Sequence, residues 1–460
     1  MTEWLKPALD YIPRWLDYQF QHHNQPGCAV AIAHHGEIVL EQAFGVANGM
    51  TGTPLTPRHR FRVASHSKTF TAAGILKLKE VGRLRLDDNA GTFVQGLHPD
   101  VAAVTVQQLL SHSAGLVRDG DDSGQFSDRR PFRSAAELLA DLSVAQPIGP
   151  AVRFKYSNHG FGLLGLIIEA VTGAPYTAWI MREIVAPAGL SETAADIGLA
   201  TGSLASGHST RLPLGRRLAI PGDNPTNDVA SATGFVSTAA DLAKFFAQLA
   251  PQSRSTLLTP LSRRDMTRRH WRDSEPAAQE RYYGLGTISG TLKGWDWFGH
   301  SGSFQGTQSR TAVFPAHDIA VSVLTNAVDG PAQVWVDGIG HLLQAFHAGG
   351  APTADVAGWA GRWWALWGPV DLVPVGNKVL ASSPVLNPPL VEANEIAVTE
   401  RDAGKVVHAA GFASPGEIVR RVRGADGEVT EIWIGGGRLA KEQDFARELI
   451  ARYEGSAYST

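Results

Sequence analysis

Apolar and polar positions recur along this chain in two periods, and the change of period divides it. Leu5 to Gln21 repeats at helical spacing and predicts an amphipathic helix. Gly27 to Ala33 and Glu37 to Phe44 read as two strands joined by a His34-His35-Gly36 turn. Thr69 to Leu84 has apolar residues at Phe70, Ala73, Gly74, Leu76 and Leu78 and no proline, which predicts a helix. Leu86-Asp87-Asp88 marks a turn, and Val104 to Leu116 predicts a helix with Thr105 as N-cap and an end near Gly115. Ser134 to Leu142 and Thr238 to Leu249 predict two more, the second with Asp241 in its first turn. Phe161 to Val171 is apolar almost all round, hence a buried helix. Arg118 to Arg133 is polar and glycine-bearing and reads as a mobile loop. Thr201 to Thr233 is long, aperiodic and rich in Gly, Pro and Asn, the mark of a functional or disordered loop. Gly284 to Ser289, Trp295 to Gly299, Ser309 to Phe314 and Ile319 to Asn326 read as successive strands, and Val334 to Phe346 as a closing helix.

At His347-Ala348-Gly349-Gly350-Ala351-Pro352-Thr353 the composition shifts to small residues, a linker signal. From Gly361-Arg362-Trp363-Trp364 onward the segments are short and alternate. They are Val370–Val375, Lys378–Ala381, Glu395–Val398, Val406–Ala409, Ile418–Arg423 and Val429–Trp433. Turns at Gly376-Asn377 and Ala425-Asp426-Gly427 separate them, an all-β signature of about 100 residues. The expected organisation is a domain over 1–348, a linker over 349–357 and a small all-β domain over 358–460. In the first domain the order of elements predicts helices around an antiparallel sheet, an α/β (α+β) sandwich. There is no internal repeat and no low-complexity tract.

A length of 460 residues suits two or three domains. Hydrophobic residues at 43% and charged residues at 18% are a globular composition. A net charge of −3 makes no electrostatic case for nucleic acid or an anionic membrane. No stretch reaches the roughly 18 apolar residues of a membrane span, and Met1 to Pro7 starts no apolar signal segment. Cytoplasmic residence is the resulting expectation. The single cysteine, Cys28, lies in the apolar run Cys28–Ala33 and reads as a buried structural thiol. The pairs His22-His23 and His34-His35 point in different directions, and no H-x-x-x-H or C-x-x-C pattern supports them, so no metal is expected.

Candidate chemistry begins with Ser65 and Lys68. Three residues apart at a helix start, they share one face about one turn apart. The amine can take the hydroxyl proton, and the helix N-terminus favours developing negative charge. Alone, the pair reads more readily as a serine N-cap with a solvated lysine. Tyr156-Ser157-Asn158 lies just before the buried helix. Its phenol is a second proton carrier, stabilised as tyrosinate beside a protonated lysine, or else a packing side chain in a turn. Gly299-His300-Ser301-Gly302-Ser303 falls at a strand start, where small residues let a backbone approach a ligand. The alternatives are an ordinary glycine-rich hairpin and a capped surface histidine.

These elements, in this order, resemble the serine β-lactamase and penicillin-binding-protein superfamily: S-x-x-K, then Y-x-N, then a [KH]-[ST]-G strand element. Phe61-Arg62-Val63-Ala64-Ser65, Leu109 to Leu116 (LLSHSAGL) and Gly234 to Leu242 (GFVSTAADL) resemble its class C β-lactamase-related branch of esterases, D-aminopeptidases and D-amino acid amidases. The resemblance covers roughly residues 10–346. It implies an antiparallel five-stranded-type sheet flanked by helices, with a helical subdomain. It implies Ser65 as acylated nucleophile, Lys68 as general base or hydrogen-bond partner, and Tyr156 as proton donor to the leaving group. Asn158 would orient substrate and lysine, and His300-Ser301-Gly302 would be the third motif. The backbone N–H groups of Ser65 and Ser303 would form an oxyanion hole, each donor worth about 3 kcal/mol of barrier. His300 stands where penicillin-recognising members carry a lysine. The missing permanent cation moves the expectation from β-lactam hydrolysis toward peptide, amide or ester cleavage. The C-terminal segments resemble lipocalin-like domains appended to D-aminopeptidase, through Gly361-x-Trp363 and strand spacing.

The resemblance implies a serine hydrolase acting through an acyl-enzyme on Ser65. Its substrates would be small peptides or amides, D-amino acid derivatives among them. It implies no cofactor, and a small molecule or short peptide rather than nucleic acid or membrane as partner. A carboxylesterase, a β-lactamase and a non-catalytic acylated sensor are the alternatives, and the intact Lys68 and Tyr156 argue against the last. The Arg118–Arg133 and Gly207–Thr233 loops are expected to shape the pocket.

Overall fold

All eight residues of Gly27–His34 (β1) are buried, which is why this strand reads as an unbroken apolar run. Its neighbours are Glu37–Asn48 (β2) on one side and Ile319–Thr325 on the other, both antiparallel. The computed structural model describes residues 2–212, 215–273, 280–409 and 414–454. Besides β1 and β2 the main sheet holds Thr53–Pro54 (β3), Trp271–Arg272 (β4), Arg281–Tyr283 (β5) and Ile288–Leu292 (β6). Trp295–Phe304 (β7), Thr307–Phe314 (β8) and Ile319–Thr325 (β9) complete it. The order is β3-β2-β1-β9-β8-β7-β6-β5-β4, with every pairing antiparallel. The sheet is thus wider than the five strands expected, and the additions on either edge are short.

The helices that matter here are Leu5–His22 (α1), Ser67–Glu80 (α2), Val106–Leu110 (α3) and Ala135–Leu142 (α4). Asn158–Thr172 (α5), Ala239–Gln248 (α6), Ala332–Gly349 (α7) and Glu442–Tyr453 (α8) follow. By packing, the chain divides into two compact units, Gln25–Val336 and Met1–Asn24 with Asp337–Thr460.

In the first unit α2 is the central pillar, buried from Ser67 through Leu76. Phe70 stacks on Phe235 at 4.2 Å and on Phe245 of α6 at 3.9 Å. α6 starts on Thr238, whose side chain accepts from Asp241 N–H, and α4 starts on Ser134 in a capping box with Glu137. The helix expected over 104–116 is only α3. Its capping box, Thr105 with Gln108, holds, but the chain leaves the helix at Ser111 and turns left-handed at His112 (φ 56°). Apolar spacing alone could not show that stop. The strand expected over Gly284–Ser289 starts at Ile288, because Gly286 adopts φ 68°. The third motif lies inside β7, not at a strand start.

In the second unit α1 packs through Trp15 against Gly338 of α7, where any Cβ would meet the indole. Gln19 Nε2 donates to the carbonyls of Pro384 (2.6 Å) and Val385 (3.0 Å). Tyr11 Oη donates to Asp371 (2.8 Å), which also takes two bonds from Arg362 (2.6 and 2.8 Å). α7 runs past the expected linker start to Gly349, and a short helix, Ala354–Ala357, follows. Eight strands then close an antiparallel barrel: Gly361–Ala365 (β10), Gly368–Val375 (β11), Lys378–Ser382 (β12), Asn394–Glu400 (β13), Ala403–His408 (β14), Ile418–Arg423 (β15), Val429–Ile434 (β16) and Gly437–Ala440 (β17). Trp364 pairing with Ala440 shuts it. Trp359, Trp363, Leu372, Val379, Ile396, Val406, Val419 and Ile432 form its packed core, as eight strands allow. Among the described residues no single helix is long and apolar enough to cross a membrane.

Replacing Phe70 by Ala should lower stability by about 3–5 kcal/mol, and by Leu far less. Urea denaturation midpoints of the two variants against the parent chain check this.

Candidate active site

Between Phe61 and Leu76, Ser65 is the one residue that is not buried. It sits in the 3₁₀ turn Ala64–His66 that leads into α2, with Ala64 left-handed at φ 47°. The turn is fastened on both sides. Val63 N–H donates to Phe235 O (3.0 Å), and Ser67 Oγ accepts from Phe235 N–H (3.0 Å) and donates to Ala64 O (2.5 Å). Such over-determination is what allows a non-glycine residue to hold a left-handed conformation.

Lys68, in the first turn of α2, is wholly buried. Its Nζ lies 3.1 Å from Ser65 Oγ, 2.7 Å from Asn158 Oδ1 and 2.8 Å from Ala232 O. Burial pushes its pKa well below that of free lysine, Arg118 adds to this, and Asp119 opposes it. Two of the three partners are carbonyl oxygens, which can only accept, so they fix two amine hydrogens. The remaining position faces Ser65. An ammonium donates there, and a neutral amine presents its lone pair to the serine hydroxyl.

Tyr156 is positioned from the start of α5. Ser157 is the N-cap; its Oγ accepts from Gly160 N–H (2.9 Å) and donates to Val117 O (2.6 Å). Tyr156 Oη donates to Ser65 Oγ at 2.7 Å. Burial pushes its pKa up, more than the Ser65 bond and Arg118 lower it. The resting group is therefore a phenol, the protonated form of the carrier expected from the sequence. Asn158 opens α5 and turns its Nδ2 to Asp119 Oδ1 (2.6 Å).

His300, Ser301, Gly302 and Ser303 lie along β7, in the hairpin closed by Phe304 opposite Thr307. A Cβ on Gly302 would press into the Val63 carbonyl and lie 2.6 Å from Ser309 Oγ, so the close approach to the serine turn requires glycine. Antiparallel alternation sends the Ser301 and Ser303 N–H groups away from β8, toward an edge where β6 has ended at Ile288. His300 is 1% exposed. Its Nδ1 is 2.7 Å from Ser301 O and its Nε2 is 3.0 Å from Tyr283 Oη. Nδ1 is also 3.0 Å from the Ser301 N–H, so both backbone polar groups of Ser301 meet this one ring nitrogen. Burial, His66 and Lys68 push its pKa well below the ordinary value. The imidazole is neutral.

Ser65, Tyr156, Asn158 and His300 to Ser303 line one cleft of about 1140 Å³, with Lys68 buried behind them. Phe126, Ser127 and Asp128 enter from the 118–133 loop and Ala219, Ile220 and Pro221 from the 207–233 loop, of which residues 213–214 lie outside those described. The first loop contains a 3₁₀ turn, Gly124–Ser127, and is held by Arg133, which pairs with Asp141 (3.0 Å) and donates to Asp119 O (3.4 Å). Sequence reasoning missed Asp119, Tyr283, His112 and the Ala232 carbonyl. His112 packs its ring 4.2 Å from that of Tyr156 and accepts from Ser157 N–H (3.2 Å). Its place in LLSHSAGL, just before the loop, was the one available signal.

Gly302→Ala should displace β7 from the serine turn and cut any Ser65-dependent turnover by on the order of 10²-fold, since misplacement near 1 Å has that effect. Steady-state kinetics beside an unchanged far-UV CD spectrum checks it.

Residues 13–344 match the Beta-lactamase family. A stretch of 170 residues is 33% identical to penicillin-binding protein 4* of Bacillus subtilis (strain 168), covering 36% of this chain and 37% of that protein. The chain thus spans about two fifths of the curated relatives it matches. The octameric penicillin-binding protein homologue from Pyrococcus abyssi superimposes with a TM-score of 0.66, over 94% of this chain and 99% of its own, at 23% identity, a likeness of fold. The D-stereospecific amidohydrolase from Streptomyces sp. gives 0.60 over 72% and 97%, at 25% identity. Since the family match runs from α1 into α7 and takes in the serine turn, the start of α5 and β7, the chain belongs to the Beta-lactamase family of hydrolases.

Proposed function

We propose that this protein is a serine hydrolase that forms an acyl-enzyme on Ser65 and cleaves small amides or short peptides. The observation that carries the reading is the convergence of Lys68 Nζ and Tyr156 Oη on one oxygen, Ser65 Oγ, at 3.1 and 2.7 Å. Neutral Lys68 takes the Ser65 proton as Oγ bonds to the substrate carbonyl carbon. The Ser65 and Ser303 N–H groups receive the oxyanion. Tyr156 gives its proton to the leaving nitrogen as the C–N bond breaks and is reprotonated from Lys68. Water then attacks the acyl group by the reverse route and frees Ser65. The lowered Lys68 pKa supplies the neutral amine, and the raised Tyr156 pKa keeps the donor protonated.

The neutral, doubly bonded His300 offers no cation for a β-lactam or D-alanyl carboxylate, which favours neutral amide substrates over penicillins. The likeness to a D-stereospecific amidohydrolase supports D-amino acid amides as the first substrates to try. A carboxylesterase is the second reading, because the same acylation machinery serves an ester.

A fluorophosphonate probe should label Ser65, and Ser65→Ala should abolish labelling and turnover. Activity requires Lys68 without its proton. It should therefore rise with pH through a limb well below the pH of about 10.4 at which free lysine titrates. Turnover of p-nitrophenyl acetate with none of D-amino acid p-nitroanilides would replace the amidase reading with the esterase one. An unlabelled Ser65 in folded protein would end both.

A further inference from the structure

We propose that Asp119 is a positioning residue, whose carboxylate holds the Asn158 amide in the one orientation that gives Lys68 an acceptor. This rests on the reading of Ser65 and Lys68 above and adds a residue to it. An asparagine amide has a donor end and an acceptor end of nearly equal shape, and its neighbours choose between the two. Here the choice is forced from one side. A carboxylate has no hydrogen to give, so Asn158 Nδ2 must face Asp119 Oδ1, at 2.6 Å. Oδ1 is thereby aimed at Lys68 Nζ, at 2.7 Å. Turned over, the amide would set its hydrogens against those of Lys68, and the third amine position would no longer be reserved for Ser65.

Asp119 is itself buried and built into place. The Arg118 carbonyl accepts from the N–H groups of Asn158 (2.9 Å) and His159 (3.2 Å), so the Arg118-Asp119 turn is fastened to the start of α5. Arg133 Nε donates to Asp119 O, and Arg118 Nε pairs with the second carboxylate oxygen at 3.1 Å. A direct line runs Asp119–Asn158–Lys68–Ser65. The titratable and charged groups around Lys68 are Asp119 and Arg118 from this loop, Tyr156 before α5, His112 after α3 and His300 on β7. The three aromatic groups among them are neutral, so among the described residues Asp119 is the one neighbour whose charge favours the ammonium. Its removal must also lower the pH at which Lys68 loses its proton.

The test compares the full chain with D119N and D119E. It measures the rate of fluorophosphonate labelling at Ser65, and kcat and KM for p-nitrophenyl acetate, between about pH 5 and 10, the span over which a buried lysine titrates. For D119N we expect labelling rate and kcat to fall by on the order of 10²-fold with KM held, as misorientation at a reacting centre costs. Its acid limb should move to lower pH, and D119E should recover part of the loss with the limb restored. Wild-type labelling rate and limb in D119N would overturn the proposal, as would a loss confined to KM, which would make Asp119 a substrate contact. If D119N does not fold by far-UV CD, D119S is read by the same criteria. A wild-type chain that is not labelled at Ser65 refutes the underlying reading instead, whatever Asp119 does.

Discussion

A lysine amine taken wholly out of water needs a partner at each polar position, and Lys68 finds three on three different elements. One is the serine of its own turn, one the side chain that opens α5, one a carbonyl of the short helix Ala230–Thr233. Leaving any of these unmade would cost about 1–3 kcal/mol, so the buried amine works as a staple between segments far apart in sequence. The elements around it are arranged to permit this. Gly286, left-handed, packs against the Lys68 carbonyl, Thr69 Oγ1 donates to Gly286 O (2.8 Å), and Thr71 Oγ1 donates to Ser231 O (2.6 Å). The geometry around Ser65 and the packing of α2 are therefore one structure.

Around that amine the molecule removes competing charge. His66 is pushed down to about 3 by burial, its Nε2 paired with Thr311 Oγ1 and its Nδ1 near Val63 O. His112 and His300 are lowered in the same way, while Tyr156 and Tyr283 are raised. Three imidazoles and two phenols stay neutral across the ordinary pH range. In such surroundings a single proton transfer is felt strongly, because little solvent screens it. On the reading proposed above, the proton that moves is the one between Ser65 Oγ and Lys68 Nζ.

The residues legible in the sequence share a property: each stands at a fixed offset from an element boundary. Ser65 and Lys68 flank a helix start, Tyr156 and Asn158 flank another, and His300 to Ser303 follow strand alternation. Backbone geometry then dictates where the side chains go, and motif order names them. What was not legible came from tertiary choice. The Ala232 carbonyl belongs to no side chain. Asp119 sits in a loop whose path depends on Arg133 and on hydrogen bonds to α5. Tyr283 reaches His300 past the end of β6, from β5 to β7. Apolar spacing continues from Thr105 through Leu116 and predicts a longer helix than the chain forms, because the left-handed turn at His112 departs from it and delivers that ring beneath Tyr156. The barrel was legible in strand spacing, its eightfold closure only in the Trp364–Ala440 pairing.

Burial also governs what the third motif can recognise. An ammonium at position 300 would stand 1% exposed among His66, Lys68 and Arg310, with both polar partners of the present ring, Tyr283 Oη and Ser301 O, shaped to an imidazole. It would add a like charge beside Lys68 and depress that amine further, in a place without water to screen the pair. Histidine avoids this by giving up a proton rather than gaining a counter-ion. At position 300 the cleft therefore presents a neutral, hydrogen-bonded ring, while Arg118, Asp128, Asp273 and Arg281 bring charge to other parts of its lining. On the proposed reading, discrimination among acyl donors falls to groups that the two loops bring in, Phe126 and Asp128 on one side and Ile220 on the other.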